Sequence, residues 1–250
     1  MAGPLSPEEA RRYARHIVLK GIGGPGQQSL KAARVLVIGA GGLGSPVIAY
    51  LAAAGVGALG VVDDDSVSVS NLQRQIVHQT ADVGVSKAES ARRFADRLNP
   101  HVSVEPIMER IGPDNAENLV ARYDLVADGS DNFGTRLAVA TACEKAGKTL
   151  VSGAVSMFDG QVTVFAPHLV DKAGRRYPRF VDLYPDTPDE ADLPACEAVG
   201  VIGALTGVIG TLMAMETIKL ITGVGAPLFG RLLIYDAREA RFTELRYGRT

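Results

Sequence analysis

The 250-residue sequence is poor in cysteine: Cys143 and Cys196 are its only two, with no paired spacing. That excludes a disulfide scaffold and fits a reducing cytosol. Nor is there charge of one sign to spare. The 26 Lys and Arg stand against 28 Asp and Glu, a net charge of −2, so the basic stripe that nucleic acid calls for is missing. Only short mixed clusters such as ARRFADR occur. No secretory pattern opens the sequence, because MAGPLSPEEARRYARHIVLK carries charge within its first ten residues. One uncharged segment calls for the membrane test. The uncharged stretch from Val199 to Met215 has 17 residues, is rich in glycine and lies between Glu197 and Glu216, whereas a membrane span takes about 20 predominantly apolar residues. It reads as a helix buried in a core or interface. The expectation is a cytoplasmic protein with neither nucleic acid nor membrane as partner.

What is present is material for a core, with 46% hydrophobic residues. Ser6-Pro7-Glu8-Glu9 is a helix start, with Ser as N-cap, Pro at the first helical position and Glu closing a capping box. Ala33 to Ile38 reads as a buried strand, followed by a glycine loop and an Ala-rich helix to Ala54. GALGVVD is a second strand, ending at Asp63. SKAESARRFADRLNP is a helix with an expected capping box from Ser86 to Glu89. VSVEPIM and YDLVADGSD are further strands, the latter leading into a helix from about Asn132 to Ala146. TLVSGAVSMFDGQVTVFAP reads as two strands with a turn at Asp159-Gly160. Residues 167–195, with prolines among acidic residues, read as a long mobile connection rather than a second domain. After it come the apolar helix and a closing hairpin of RLLIYDA with RFTELRY. Strand–helix alternation implies a Rossmann-like, doubly wound α/β sheet in a single domain, and the later hairpins add antiparallel strands. There are no internal repeats.

Gly39, Gly41 and Gly44 satisfy G-x-G-x-x-G between a strand and a helix, a pattern that closes backbone N–H groups on phosphate at a helix N-terminus. Asp63 lies 24 residues past the first glycine, where it can accept hydrogen bonds from ribose hydroxyls. NAD, FAD and ATP all remain open on this feature. A triphosphate needs cationic side chains and a carboxylate-held metal, more than a dinucleotide's pyrophosphate does. Lys87 stands at the first position of its helix, opposing the macrodipole by a few tenths of a kcal/mol; it is either a solvated lysine or a cation kept for an anionic ligand. Asp131, at a strand's C-terminal end, is either a helix N-cap or a ligand to Mg²⁺. Arg15 and Arg74 are surface charges on the bland reading. Arg74, however, lies in the polar stretch SNLQRQ, where core packing does not explain the order of residues.

Taken together and in order, RYARHIVL, GAGGLGSP, DDDSVSVSNLQRQ, VGVSKAESA, DGSDN, VSGAVSMFDGQVTVF, CEAVGVIGALTGVIGTLMAMETIKLI and LLIYDA resemble a known family. It comprises the adenylyltransferases that activate ubiquitin-like sulfur carriers for molybdopterin and thiamine synthesis, within the ubiquitin-activating-enzyme superfamily. The resemblance runs from about Leu5 to Tyr247, and SNLQRQ with VGxSK is more specific than the glycine loop. It implies binding of ATP with Mg²⁺ and transfer of AMP to the C-terminal glycine carboxylate of a small carrier with a Gly-Gly tail. Pyrophosphate is released, and a sulfur donor then attacks the adenylate. It further implies that Gly39, Gly41, Gly42 and Gly44 hold the nucleotide, with Asp63 on the ribose. Asp65, Ser70 and Asn71 line the site. Arg15, Lys87 and Arg74 bind the triphosphate, Arg74 by reaching into the partner subunit of a homodimer, and Asp131 holds Mg²⁺ with Asn132 beside it. Cys196, at the start of the apolar helix where the dipole lowers a thiol pKa, aligns with a cysteine that some members use in thioester or acyl-persulfide chemistry. Its alternative is an inert cysteine. Cys143 reads as core.

The sequence departs from many relatives in lacking the two Cys-x-x-Cys pairs of a structural zinc, which would fall at Tyr177–Phe180 and after Tyr247. No zinc is expected. The sequence ends at Thr250 without a sulfurtransferase extension, so sulfur is expected from another protein. Overall resemblance favours molybdopterin synthase's small subunit as carrier, with the thiamine carrier as the alternative. An NAD-dependent oxidoreductase is the reading from another class, and it lacks a His-with-acid constellation for hydride chemistry.

Overall fold

A computed structural model of the chain describes residues 3–186 and 200–249. One eight-stranded sheet runs through it in the order β3-β2-β1-β4-β5-β6-β7-β8. The strands are β1 (Arg34–Ile38), β2 (Ala58–Val62), β3 (Ser103–Ile107), β4 (Leu125–Asp128), β5 (Thr149–Ser156), β6 (Asp159–Phe165), β7 (Arg231–Asp236) and β8 (Arg241–Arg246). The first five are parallel and the last three extend the sheet antiparallel. This is the Rossmann-like doubly wound arrangement with added antiparallel strands.

Alternation along β1 shows why both faces are covered. Val35 and Val37 enter one buried cluster and Leu36 and Ile38 the other, so a continuous apolar run is what a central parallel strand requires. Helices α4 (Gly44–Ala54), α5 (Lys87–Leu98) and α9 (Gly203–Thr222) pack on the first face. Helices α6 (Ala116–Ala121), α7 (Phe133–Ala146) and α8 (Phe180–Leu183) pack on the second. The N-terminal helices α1 (Pro7–Arg12), α2 (Ala14–Ile17) and α3 (Gly23–Ala32) precede β1. Ser6 caps α1, with Glu9 closing the box as expected.

β1 pairs with β2 on one side and with β4 on the other. The order of the strands reverses there, and open α/β sheets put their ligands in the crevice at that point, beyond the strands' C-terminal ends.

Two local expectations need correction, and one open alternative is decided. Ser86 is the N-cap residue of α5 but makes no side-chain capping bond; Glu89 bonds Arg92 and Arg93 instead, two guanidinium partners against one backbone N–H. The β5–β6 turn falls on Met157 and Phe158, because Ser156 pairs with Asp159, rather than on Asp159-Gly160. Gly160 belongs to the strand: a Cβ there would overlap Ile209 of α9, so the glycine serves close packing of helix on sheet. Asp131 does not cap α7. Asn132 does, its Oδ1 accepting from Thr135 N at 2.8 Å.

The apolar segment is α9, long and apolar enough to cross a membrane by length and composition. Its Leu205, Ile209, Met213 and Thr217 are nevertheless buried against the sheet and α4, which accounts by packing for the apolar character of that face. Of the 167–195 connection, residues 167–186 carry α8. Phe180 there is buried, 5.5 Å by ring centroid from both Phe133 and Phe165. Residues 187–195 lie outside the described residues.

Candidate active site

The cleft opens where β1, β2 and β4 end, and each strand delivers one part of it. From β1 comes the glycine loop, of which Gly39, Gly41 and Gly42 line the wall. Gly44 does not line it. As the first residue of α4 it sits where a Cβ would overlap the Gly39 carbonyl oxygen, so its part is to let the helix start tight against the strand.

β2 delivers three aspartates. Asp63 Oδ2 accepts from Ala40 N at 2.7 Å and Oδ1 from Asp65 N at 3.0 Å. Burial raises the pKa of its carboxyl, against the Ala40 N–H and the Lys87 charge, which lower it. Asp65 faces Lys87, whose Nζ lies 2.7 Å from Asp65 Oδ2 and whose backbone N–H donates to the Asp65 carbonyl at 2.9 Å. Lys87 is only 6% exposed; it is not a solvated surface lysine. A buried ammonium aimed into a cleft at a helix N-terminus suits an anionic ligand.

β4 delivers Asp131 and Asn132, both on the wall. Asp131 is exposed and has no hydrogen bond or ion pair among the described residues. Among those residues no group of three or more His, Cys, Asp and Glu is placed to hold a metal. A single free carboxylate instead fits Mg²⁺ of the kind that one or two carboxylates share with substrate phosphates. Beneath it Asp128 is buried, accepting from Ser130 N at 2.9 Å, and burial pushes its carboxyl pKa up.

Several expected residues fall elsewhere. Arg74 lines the cleft of its own chain, Nη1 donating to the Ser70 carbonyl at 3.1 Å. Ser70 and Asn71 are off the wall. Ser70 Oγ pairs with Ser68 Oγ at 2.9 Å, and buried Asn71 accepts from Ser68 N at 3.2 Å. The Asn71 carbonyl in turn takes Arg74 N and Gln75 N, both at 3.0 Å, so these residues shape the turn that presents Arg74. Arg15, on α2, is exposed and does not reach this cleft. Cys196 lies outside the described residues. Cys143 is buried in α7, and burial raises the pKa of its thiol, which makes it inert.

Sequence reasoning missed Arg136, whose Nε and Nη2 both donate to the Ser130 carbonyl, at 3.0 and 2.7 Å, on the cleft wall. The signal was available: like Lys87, it is a cation in the first turn of a helix, where the macrodipole disfavours it. Gln75, also on the wall, gave no such signal.

A model of the ThiF family matches residues 13–250. The chain is 49% identical over 241 residues to the probable adenylyltransferase/sulfurtransferase MoeZ of Mycobacterium tuberculosis, covering 96% of this chain and 61% of that protein. It is 48% identical over 242 residues to the sulfur carrier protein adenylyltransferase of Thermus thermophilus, covering 97% and 89%. The chain thus spans about three-fifths of the mycobacterial relative's length. Among solved structures, E. coli MccB with ATP superposes with a TM-score of 0.73 at 22% identity, covering 90% of this chain and 66% of that one. That likeness bears on the fold alone.

Proposed function

We propose that this chain, which belongs to the ThiF family, uses ATP to adenylylate the C-terminal glycine carboxylate of a ubiquitin-like sulfur-carrier protein. It works in the cytoplasm as a single adenylation domain. A carboxylate oxygen of the carrier attacks the α-phosphorus, the bond to the β-phosphate oxygen breaks, and acyl-adenylate and pyrophosphate result. The same reaction is supported by the names of the Mycobacterium and Thermus relatives.

The observation that carries this reading is the convergence of Lys87, Arg74 and Asp131 on one glycine loop. A dinucleotide's pyrophosphate is served by backbone and dipole; two cations and a free carboxylate suit a triphosphate being cut. Asp63 takes the ribose. Lys87 and Arg74 neutralise charge on the phosphate chain, and Arg136 holds the Ser130 carbonyl and with it the loop bearing Asp131. Asp131 and Asn132 stand where Mg²⁺ travelling with the nucleotide would be held; the ion would supply charge neutralisation on the phosphoryl oxygens. Catalysis is then mainly positioning and electrostatics.

Arg15 lies off its own cleft, so a homodimer is the arrangement through which it reaches a phosphate. The carrier presents a flexible Gly-Gly tail, with molybdopterin synthase's small subunit favoured over the thiamine carrier. A sulfur donor attacks the adenylate, and Cys196 is the thiol available for covalent chemistry on it.

Pyrophosphate–ATP exchange tests this. Exchange that appears only when a Gly-Gly-tailed carrier is added, with an AMP adduct on the carrier by mass spectrometry, is the expected result. Tight NAD binding without exchange would overturn it, and comparing the two carriers decides the pathway.

A further inference from the structure

Ala40 is wholly buried in the glycine loop, and both of its backbone groups are held. Its N–H donates to Asp63 Oδ2 at 2.7 Å. Its carbonyl lies 2.9 Å from His78 Nε2, while Nδ1 of the same ring lies 2.8 Å from Ser90 Oγ. A carbonyl only accepts, so Nε2 carries the proton; the neutral ring then accepts at Nδ1, and the serine hydroxyl donates. Burial lowers the ring's pKa and the Lys87 charge adds to that, while the Ala40 carbonyl and Asp82 oppose it; the net shift is downward. The neutral ring is therefore the resident form near neutral pH.

The direction of one peptide follows from this. The Ala40 carbonyl and the Gly41 N–H belong to the same trans peptide and point opposite ways. With the carbonyl drawn to His78, the Gly41 N–H is turned away from it. Gly41 lines the cleft, and its N–H has no acceptor among the described residues. Ser90, the outer anchor of the ring, is one turn after Lys87 on α5.

We propose that His78 is a positioning residue: it fixes the 40–41 peptide so that the Gly41 N–H faces a nucleotide phosphate, and it ties the loop to the helix that carries Lys87. For the identity of the ligand this rests on the adenylation reading above. The histidine acts through the loop and does not itself touch substrate.

Two substitutions separate this from a merely structural role. His78→Gln keeps an amide N–H near the Nε2 position, and His78→Phe fills the space with no donor. Binding of ATP and of adenosine, which lacks phosphate, is measured for each. His78→Phe is expected to weaken ATP binding about tenfold, as one lost hydrogen bond would, with adenosine unchanged and the KM for ATP rising more than kcat falls. His78→Gln is expected to recover most of the loss. ATP bound by His78→Phe as tightly as by the wild type overturns the proposal, and so does an equal loss for ATP and adenosine. If His78→Phe does not fold, Ser90→Ala takes its place: a loss confined to ATP supports the proposal, and unchanged binding of both ligands overturns it. Wild-type protein that binds ATP but catalyses no carrier-dependent exchange defeats the adenylation reading alone, since the His78 comparison reads nucleotide binding directly.

Discussion

Lys87 Nζ lies 2.7 Å from Asp65 Oδ2, yet the two side chains differ in exposure, 8% for the lysine and 67% for the aspartate. The pair is therefore asymmetric. Removing the aspartate would strand a buried ammonium, whereas removing the lysine leaves a carboxylate that reaches water. Lys87→Ala is accordingly expected to keep its melting temperature within about 4 °C of the wild type, while AMP transfer drops about 10²- to 10³-fold. Calorimetry and the exchange assay check the two halves, and a normal rate in the folded variant would remove Lys87 from the site.

Asp131 and Asn132 are neighbours with different work. The Asn132 side chain holds the first turn of α7 through Thr135 N, and Asp131 makes no such bond. Asp131→Ala is expected to lose exchange activity with its unfolding curve unchanged. Asn132→Ala should cost about 1 kcal/mol of stability in urea, as a lost N-cap does. A stability loss in Asp131→Ala matching that of Asn132→Ala would mean that its effect on activity is indirect.

Local chemistry was legible in the sequence wherever it is decided locally. The apolar run up to Ile38 reads as a buried strand and Ser6 with Glu9 as a helix start, and the structure has both. The glycine loop followed by Asp63 located the cleft. What was not legible depends on distant partners. The sequence places Ser86 and Glu89 at capping-box spacing, but Arg92 and Arg93 compete for the same carboxylate. Asp159-Gly160 has the composition of a turn, but α9 needs that glycine beneath Ile209. Likewise the order SNLQRQ marks a special segment without saying that Asn71 turns inward while Arg74 turns to the cleft.

Gly44 supplies a prediction about stability rather than catalysis. A Cβ there would collide with backbone, the Gly39 carbonyl oxygen, which cannot move without dislodging the loop. Gly44→Ala should lose on the order of 3 kcal/mol in urea unfolding. Gly207, inside α9, has nothing within 4 Å of its Cβ position; Gly207→Ala should gain about 0.5–1 kcal/mol from helix propensity. A midpoint for Gly44→Ala no lower than that of the wild type would show that the close contact there does not govern stability, and a fall for Gly207→Ala would show that helix propensity does not decide that site.

Two half-buried or buried histidines, His78 and His168, make stability depend on pH on the acid side of neutrality. Burial lowers the pKa of His78 in the fold below its ordinary value of 6.5. A group whose folded pKa is lowered binds more protons when unfolded, so its contribution is present above the unfolded pKa and is lost as pH falls through the folded one. His168 is lowered by burial too, with Lys148 adding to the effect, so both act in one direction. Glu89 acts in a separate window: hydrogen bonds from Arg92 hold it at about 2 against an ordinary 4.5, and its contribution goes only as pH falls below that ordinary value. Urea unfolding at pH 7.5 and pH 5.0 should therefore show the wild type losing more stability on acidification than His78→Gln does. His168 and Glu89 are common to both proteins, so the difference in slope belongs to His78. Equal slopes would mean that the ring is protonated in the fold as readily as in the unfolded chain.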